Sequence, residues 1–356
     1  VTPGPGPGLL RGPVERSSDT RDNALMRYII IGAGAVGGAI GGRLHASGHD
    51  VVLVARGAHG RALRESGLRL QTPDESLTLP VPVVEGPEEV HLRRDDVLVL
   101  AVKTQDSVAA LDAWAARPVA RGGTAGESLP VLCAQNGVAN ETMALRRFRR
   151  VHGVCVWLPA QFLEPGVVTT STAPLTGMLH LGRFPGGVDD TDRRVATALE
   201  KSRFLAPVVP DVMRWKYGKL LANLANAIEA RGGPVRQPPL TDLARRAREE
   251  GAAVLAAAGI AYTPEDEQAA ARGDRLEQRP VAGAERSGGS SWQSLRRGTG
   301  SIETDWLNGE IVLLGRRYGV PTPVNELLQR QAGDFARRGR PPGSLPVAEL
   351  AAALAP

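Results

Sequence analysis

The six residues Gly32-Ala33-Gly34-Ala35-Val36-Gly37 constrain this chain more than any others. They follow the apolar run Tyr28-Ile29-Ile30-Ile31 directly and open a helical pattern from Val36 to Ser47 that stops at Gly48. Between a buried strand and a helix, the first glycine of such a spacing permits a tight turn. The second lets the backbone approach a pyrophosphate, and the third lets helix and strand pack closely. The helix start adds unpaired N–H groups and a partial positive charge that face the phosphates. In this setting Gly32, Ala33, Gly34, Ala35, Val36 and Gly37 predict a dinucleotide-binding turn. The competing reading, a purely structural glycine turn, is disfavoured by the strand before it and the helix after it.

Strand and helix alternate beyond the turn. Val51–Val54, Asp96–Val102 and Val131–Ala134 read as buried strands. Helical patterns run from about Thr104 to Ala116 and onward from Ala139, and short β segments occupy 68–84. Continuous apolar strands separated by helices argue for an α/β fold with a parallel sheet covered on both faces. Residues 150–185 are β-like, and a helix over 190–201 and a strand over 205–209 close this part. After Pro210 helical signals dominate, at about 211–230, 240–258, 289–297, 302–318 and 322–337. The stretches 231–239 and 272–289 read as breaker-rich connections. A chain of 356 residues exceeds what one core usually serves. The expected division is a disordered leader (1–25), a dinucleotide-binding α/β domain (26–209), a mainly helical domain (210–340) and a flexible tail (341–356).

Charge needs separate attention, because a net +5 and a pI near 9.6 invite a nucleic-acid reading. The basic residues are scattered arginine doublets with few aromatics between them, so a base-stacking surface has no support. No apolar run approaches the roughly 20 residues of a membrane span. Cys133 and Cys155 have neither metal-ligand nor redox spacing. No metal site is expected, and a reducing cytoplasm is the expected location.

Cofactor choice is read at the end of the second strand. An NAD site normally has Asp or Glu there; this chain has Ala55-Arg56-Gly57. Arg56 suits a 2′-phosphate and predicts NADP(H), against the alternative of one more surface arginine. Lys103 follows the strand ending at Val102, at the sheet edge that faces the cofactor crevice, or else it is a solvated loop lysine.

Lysine occurs at only four positions, 103, 201, 216 and 219. Unlike arginine, lysine can release a proton near neutral pH once its pKa is depressed. A ketone reductase needs a proton donor, usually His, but none of the six histidines lies in the helical half. Lys219 fits, sharing a helix face with Asn223 at i+4 and lying near Lys216, whose charge would depress its pKa. The alternative is a solvated lysine pair on a helix flank. Glu303 has two readings of equal weight: a first-turn carboxylate on a helix capped by Ser301, or a group that holds a substrate hydroxyl and positions Lys219. Asn136, in Gln135-Asn136-Gly137, is either a turn residue or an amide directed at cofactor or substrate.

Taken together, these motifs resemble the ketopantoate reductase (2-dehydropantoate 2-reductase) family from about Met26 to about Asn325. The resemblance is strongest in Ile31–Gly38, Val102-Lys103-Thr104, Gln135-Asn136-Gly137, Lys219–Asn223 and Glu303–Gly309. It implies an N-terminal Rossmann-like dinucleotide-binding domain joined to a mainly α-helical C-terminal domain. It also implies Arg56 and Lys103 near the NADP 2′-phosphate, Asn136 between cofactor and substrate, and Lys219 as general acid. Asn223 and Ser291 would hold the substrate, and Glu303 would contact its hydroxyl and orient Lys219. One departure is Ala227, where the family often has Asn; the nearby Asn226 points about 100° away on an ideal helix.

The expected function is NADPH-dependent reduction of a 2-oxo acid, ketopantoate foremost, in pantothenate biosynthesis, by an enzyme that forms a homodimer. The alternatives are reduction of a different 2-oxo acid, a β-hydroxyacid-type dehydrogenase, and a non-catalytic NADP-binding regulator.

Overall fold

The computed structural model describes residues 26–284, 288–346 and 349. The expected leader lies outside the described residues, as does most of the expected tail. Strand β1 (Arg27–Ile31) is buried at every position, as its apolar run requires. It pairs in parallel with β2 (Asp50–Val54) and β6 (Asp96–Leu100). Between β1 and β2 lies helix α1 (Ala35–Ala46).

A helix over Gly57–Ser66 (α2) follows β2; the sequence reading had no element there. Next come β3 (Leu68–Gln71), β4 (Ser76–Leu79) and β5 (Val83–Val84). After β6 and a 3₁₀ turn at Thr104–Asp106 come α3 (Ser107–Ala115), α4 (Ala125–Ser128), β7 (Pro130–Cys133) and α5 (Asn140–Leu145). Strands β8 (Arg150–Trp157), β9 (Ala160–Gln161), β10 (Val167–Thr170), β11 (Thr172–Pro174) and β12 (Gly177–Arg183) lead to α6 (Asp190–Lys201) and β13 (Phe204–Leu205).

The main sheet has the order β13-β12-β8-β7-β6-β1-β2-β5. It is parallel from β8 to β5, and β12 runs antiparallel to β8. Alternate residues of β1 feed two cores: Tyr28 and Ile30 pack on one face, Ile29 and Ile31 on the other. This is the covered parallel sheet that the unbroken apolar strands predict.

Helices α7 (Val212–Asn223), α8 (Asn226–Gly232), α9 (Leu240–Ala257) and α10 (Glu265–Arg272) begin the second half. Strand β14 (Leu276–Gln278), α11 (Ser290–Arg296), a 3₁₀ turn at Glu303–Trp306, α12 (Asn308–Tyr318) and α13 (Pro323–Arg337) complete it. Leu220, Ile228, Val254, Ile311 and Leu328 anchor its own core. Three expectations change. The 211–230 helix is broken at Leu224-Ala225. The 272–289 connection contains β14, which pairs antiparallel with β11. The 302–318 helix begins as a 3₁₀ turn whose cap position, Ile302, has no side-chain cap, so Ser301 does not cap it. Among the described residues, no helix is long and apolar enough to cross a membrane.

Candidate active site

The glycine turn sits where β1 meets α1. Gly32 has φ +99, and a Cβ there would lie 2.8 Å from Val102 N. A Cβ on Gly37 would lie 2.1 Å from the Gly32 carbonyl oxygen. A Cβ on Gly34 would project into open space. Gly34 is also the cap residue of α1 and gives it no side-chain cap, so the first N–H groups of the helix are left for a ligand. Gly32, Gly34, Ala35 and Val36 line a cleft of ≈ 1550 Å³. Ala33 is packed into the core instead, and Gly37 supports the turn from within.

The opposite wall comes from the helical half. Lys219 of α7 reaches the cleft and places its Nζ 3.5 Å from the centre of the Trp157 ring. Burial pushes its ammonium down to about 8; the nearby Cys155 opposes this shift and Arg272 adds to it. The Asn223 amide, one turn on, donates to Asn136 Oδ1 at 3.1 Å. This hydrogen bond joins α7 to the loop after β7. Lys216 does not act on Lys219 as expected. It is buried against Glu141 and donates to the Gln135 carbonyl at 3.0 Å, which pins the Gln135-Asn136 loop to α7.

Two models of known families match this chain: ketopantoate reductase PanE/ApbA over residues 28–186 and its C-terminal domain over 211–334. The chain belongs to the ketopantoate reductase family. It is 29% identical to the 2-dehydropantoate 2-reductase of Archaeoglobus fulgidus, over 85% of this chain and 96% of that one. It is 26% identical to that of Pyrococcus abyssi, over 85% and 95%. The crystal structure of a PanE/ApbA family ketopantoate reductase from Ralstonia eutropha JMP134 superposes with a TM-score of 0.71 at 28% identity, covering 88% of this chain and 99% of that one. A ternary structure of D-mandelate dehydrogenase with NADH and anilino(oxo)acetate shares the fold, with a TM-score of 0.73 at 21% identity over 88% and 99%.

Several residues of this ketopantoate reductase family chain lie elsewhere than the sequence predicts. Lys103 lines the cleft, and its Nζ lies 2.5 Å from Glu303 Oε2, a pairing that the sequence did not predict. Glu303 correspondingly does not orient Lys219. Its other oxygen accepts from the Thr104 N–H and hydroxyl, both at 3.1 Å. Burial alone would raise the Glu303 carboxyl, but Lys103 and Thr104 outweigh it and hold the group below the usual glutamate range. Arg56 is exposed beside the turn, outside the cleft wall, with Nε donating to the Glu85 carbonyl at 2.9 Å. Ser291 is buried behind the wall, and its neighbour Ser290 lines the cleft. The Ser290 Oγ has no partner among the described residues.

The helix break at Leu224-Ala225 overturns the ideal-helix argument about Asn226. That residue lines the cleft, while Ala227 packs into the core. Trp157 and Arg272 also line the cleft, and sequence reasoning missed both. A tryptophan at the end of a β-like run is the only signal that Trp157 gives; Arg272 gives none among so many arginines.

Proposed function

We propose that this chain reduces a 2-oxo acid to the 2-hydroxy acid with NADPH, ketopantoate to pantoate foremost, as a step of pantothenate synthesis. The observation that carries this reading is Lys219. It is a cleft lysine poised near pH 8, within a helix turn of Asn223 and across the cleft from the glycine turn. The names of the relatives support the substrate, and Arg56, in the place of an acid, supports NADPH.

Bound NADPH supplies the hydride. The N–H groups at the start of α1 hold its pyrophosphate, and exposed Arg56 meets its 2′-phosphate. Lys219 donates its proton to the ketone oxygen as the alkoxide develops. Asn223 and Asn136, already bonded to each other, orient that oxygen. Glu303, held as an anion by Lys103 and Thr104, accepts a hydrogen bond from the substrate hydroxyl. We also propose a homodimer working in the cytoplasm. A neighbouring fold, the ketopantoate reductase of Staphylococcus aureus, is described as dimeric, and both cysteines here are free and buried.

A second reading, a bulkier aromatic 2-oxo acid, is favoured by Trp157, Phe162 and Trp292 on the cleft wall. The test is a panel of 2-oxo acids, including ketopantoate and phenylglyoxylate, with NADPH oxidation followed spectroscopically. Turnover should fall about 10²–10⁴-fold in Lys219→Ala, with NADPH affinity within a few-fold of wild type. Absence of turnover across the panel would leave an NADPH-binding regulator, and full activity in Lys219→Ala would remove Lys219 from the chemistry.

A further inference from the structure

Arg272 ends α10, in a part of the chain that the motifs leave without a role. Its position is nevertheless built. Arg214, in the first turn of α7, pairs with Glu267 of α10 through both terminal nitrogens, at 2.7 and 2.6 Å. Gly218, the residue before Lys219, allows α10 to approach: a Cβ there would lie 2.4 Å from the Thr263 carbonyl oxygen and 2.5 Å from the Gln268 amide nitrogen. On the far side, β14 pairs with β11. These contacts bring the Arg272 guanidinium to 4.5 Å from the centre of the Trp157 ring, the same ring that carries Lys219 Nζ at 3.5 Å.

Two cations therefore share one indole, and no carboxylate answers either. The Arg272 side chain makes no ion pair or hydrogen bond among the described residues, and its Nη1 is buried without a partner. Of the carboxylates on the cleft wall, Glu303 is engaged by Lys103 and Glu229 by the Gly289 N–H, and Asp106 sits in the field of Lys103 and Glu303. Buried donors in native structures have partners, and a guanidinium is shaped to grip a carboxylate through two parallel bonds.

We propose that Arg272 binds the carboxylate of the 2-oxo acid, while Lys219 on the same ring addresses the adjacent ketone oxygen. This rests on the proposed 2-oxo acid chemistry and assigns its acid-reading residue. The carboxylate and ketone of such a head group are joined by a single bond, so a cation is assigned to each. The arrangement also explains selection for acids. A matching 2-oxo amide would leave Arg272 desolvated and unpaired, which is the costlier outcome.

The experiment compares wild type with Arg272→Gln and Arg272→Lys as NADPH-loaded enzymes. For Arg272→Gln, KM for the 2-oxo acid should rise roughly 10- to 100-fold, and the preference for acid over amide should collapse. NADPH affinity should stay within a few-fold. Arg272→Lys, which keeps the charge without the fork, should fall between. Because Arg272 pushes the Lys219 pKa down, the alkaline limb of kcat/KM should move to higher pH in Arg272→Gln and stay near its wild-type position in Arg272→Lys, which keeps the charge. Calorimetric binding of oxamate, an unreactive 2-oxo acid isostere, gives a readout independent of turnover. Turnover with an unchanged acid preference and unchanged limb in Arg272→Gln would overturn the assignment alone. No turnover and no oxamate binding in wild type would overturn it together with the proposed function. Oxamate binding that weakens in Arg272→Gln, even without turnover, would support it.

Discussion

Arg56 and Arg272 are chemically the same residue in two settings, and the difference lies in what surrounds each. Arg56 is exposed and keeps one bond to a backbone carbonyl, so its guanidinium can meet a phosphate at little desolvation cost. Arg56→Ala should therefore weaken NADPH by about tenfold or more while leaving NADH nearly unchanged, the size of a charge-assisted hydrogen bond. Fluorescence titration with both nucleotides checks this, and equal weakening would mean that Arg56 does not read the phosphate. Legibility at this scale followed rarity. Lysine is scarce in this chain, so Lys103, Lys216 and Lys219 stand out in the sequence alone. Arg272 stayed hidden because arginine is the chain's generic cation, and only burial without a partner distinguishes it. The partners of Lys103 and Lys216 were unreadable for another reason: Glu303 and Glu141 lie far along the chain and meet them only through tertiary packing.

At the scale of elements, the glycine turn was readable because its needs are local. Strand, turn and helix are adjacent in sequence, and each glycine answers a steric demand set within a few residues or by one neighbouring strand. Gly37→Ala tests that demand. The new Cβ would meet the Gly32 carbonyl oxygen, a backbone atom that cannot move without opening the turn. We expect a stability loss of about 1–3 kcal/mol and at least a tenfold loss of NADPH affinity, measured by thermal melts and nucleotide titration. Unchanged values in both would show that the turn is looser than its geometry. The break between α7 and α8 was not readable. Leu224 and Ala225 are good helix formers, and no proline or glycine marks the site. Packing decides it, turning Asn226 to the cleft and Ala227 to the core. Strand β14 escaped for the same reason: three residues among breakers become a strand only when β11 lies alongside.

For the whole molecule, polar contacts tie the two halves along their seam, among them Lys216 to Gln135 and Glu141, Gln293 to Ala160, Arg297 to Phe162 and β14 to β11, and two further sets lie in the cleft. Glu303 grips Lys103 and Thr104, and Asn223 grips Asn136. A carboxyl held below its ordinary range stabilises this closure above the usual glutamate pKa, and the stabilisation is lost as pH falls through the lowered value. Glu303→Ala should release the Thr104 amide, which hydrogen exchange would report as markedly faster exchange at neutral pH. Exchange equal to wild type would mean that the closure does not depend on Glu303. The two-part architecture itself was legible, because the change from alternating strands and helices to helices alone is a long-range pattern that needs no partner to be seen.

The scarcity of lysine has a practical consequence. Of the four lysine amines, one is paired with Glu303, one is buried against Glu141, one is on the exposed end of α6, and Lys219 in the cleft has its pKa lowered to about 8. Acylating reagents attack neutral amines, so the lowered pKa makes the group assigned to catalysis an attachment point inside the cleft. A mass-tagged ester applied to it, with and without nucleotide, turns cleft occupancy into the modification of a single peptide.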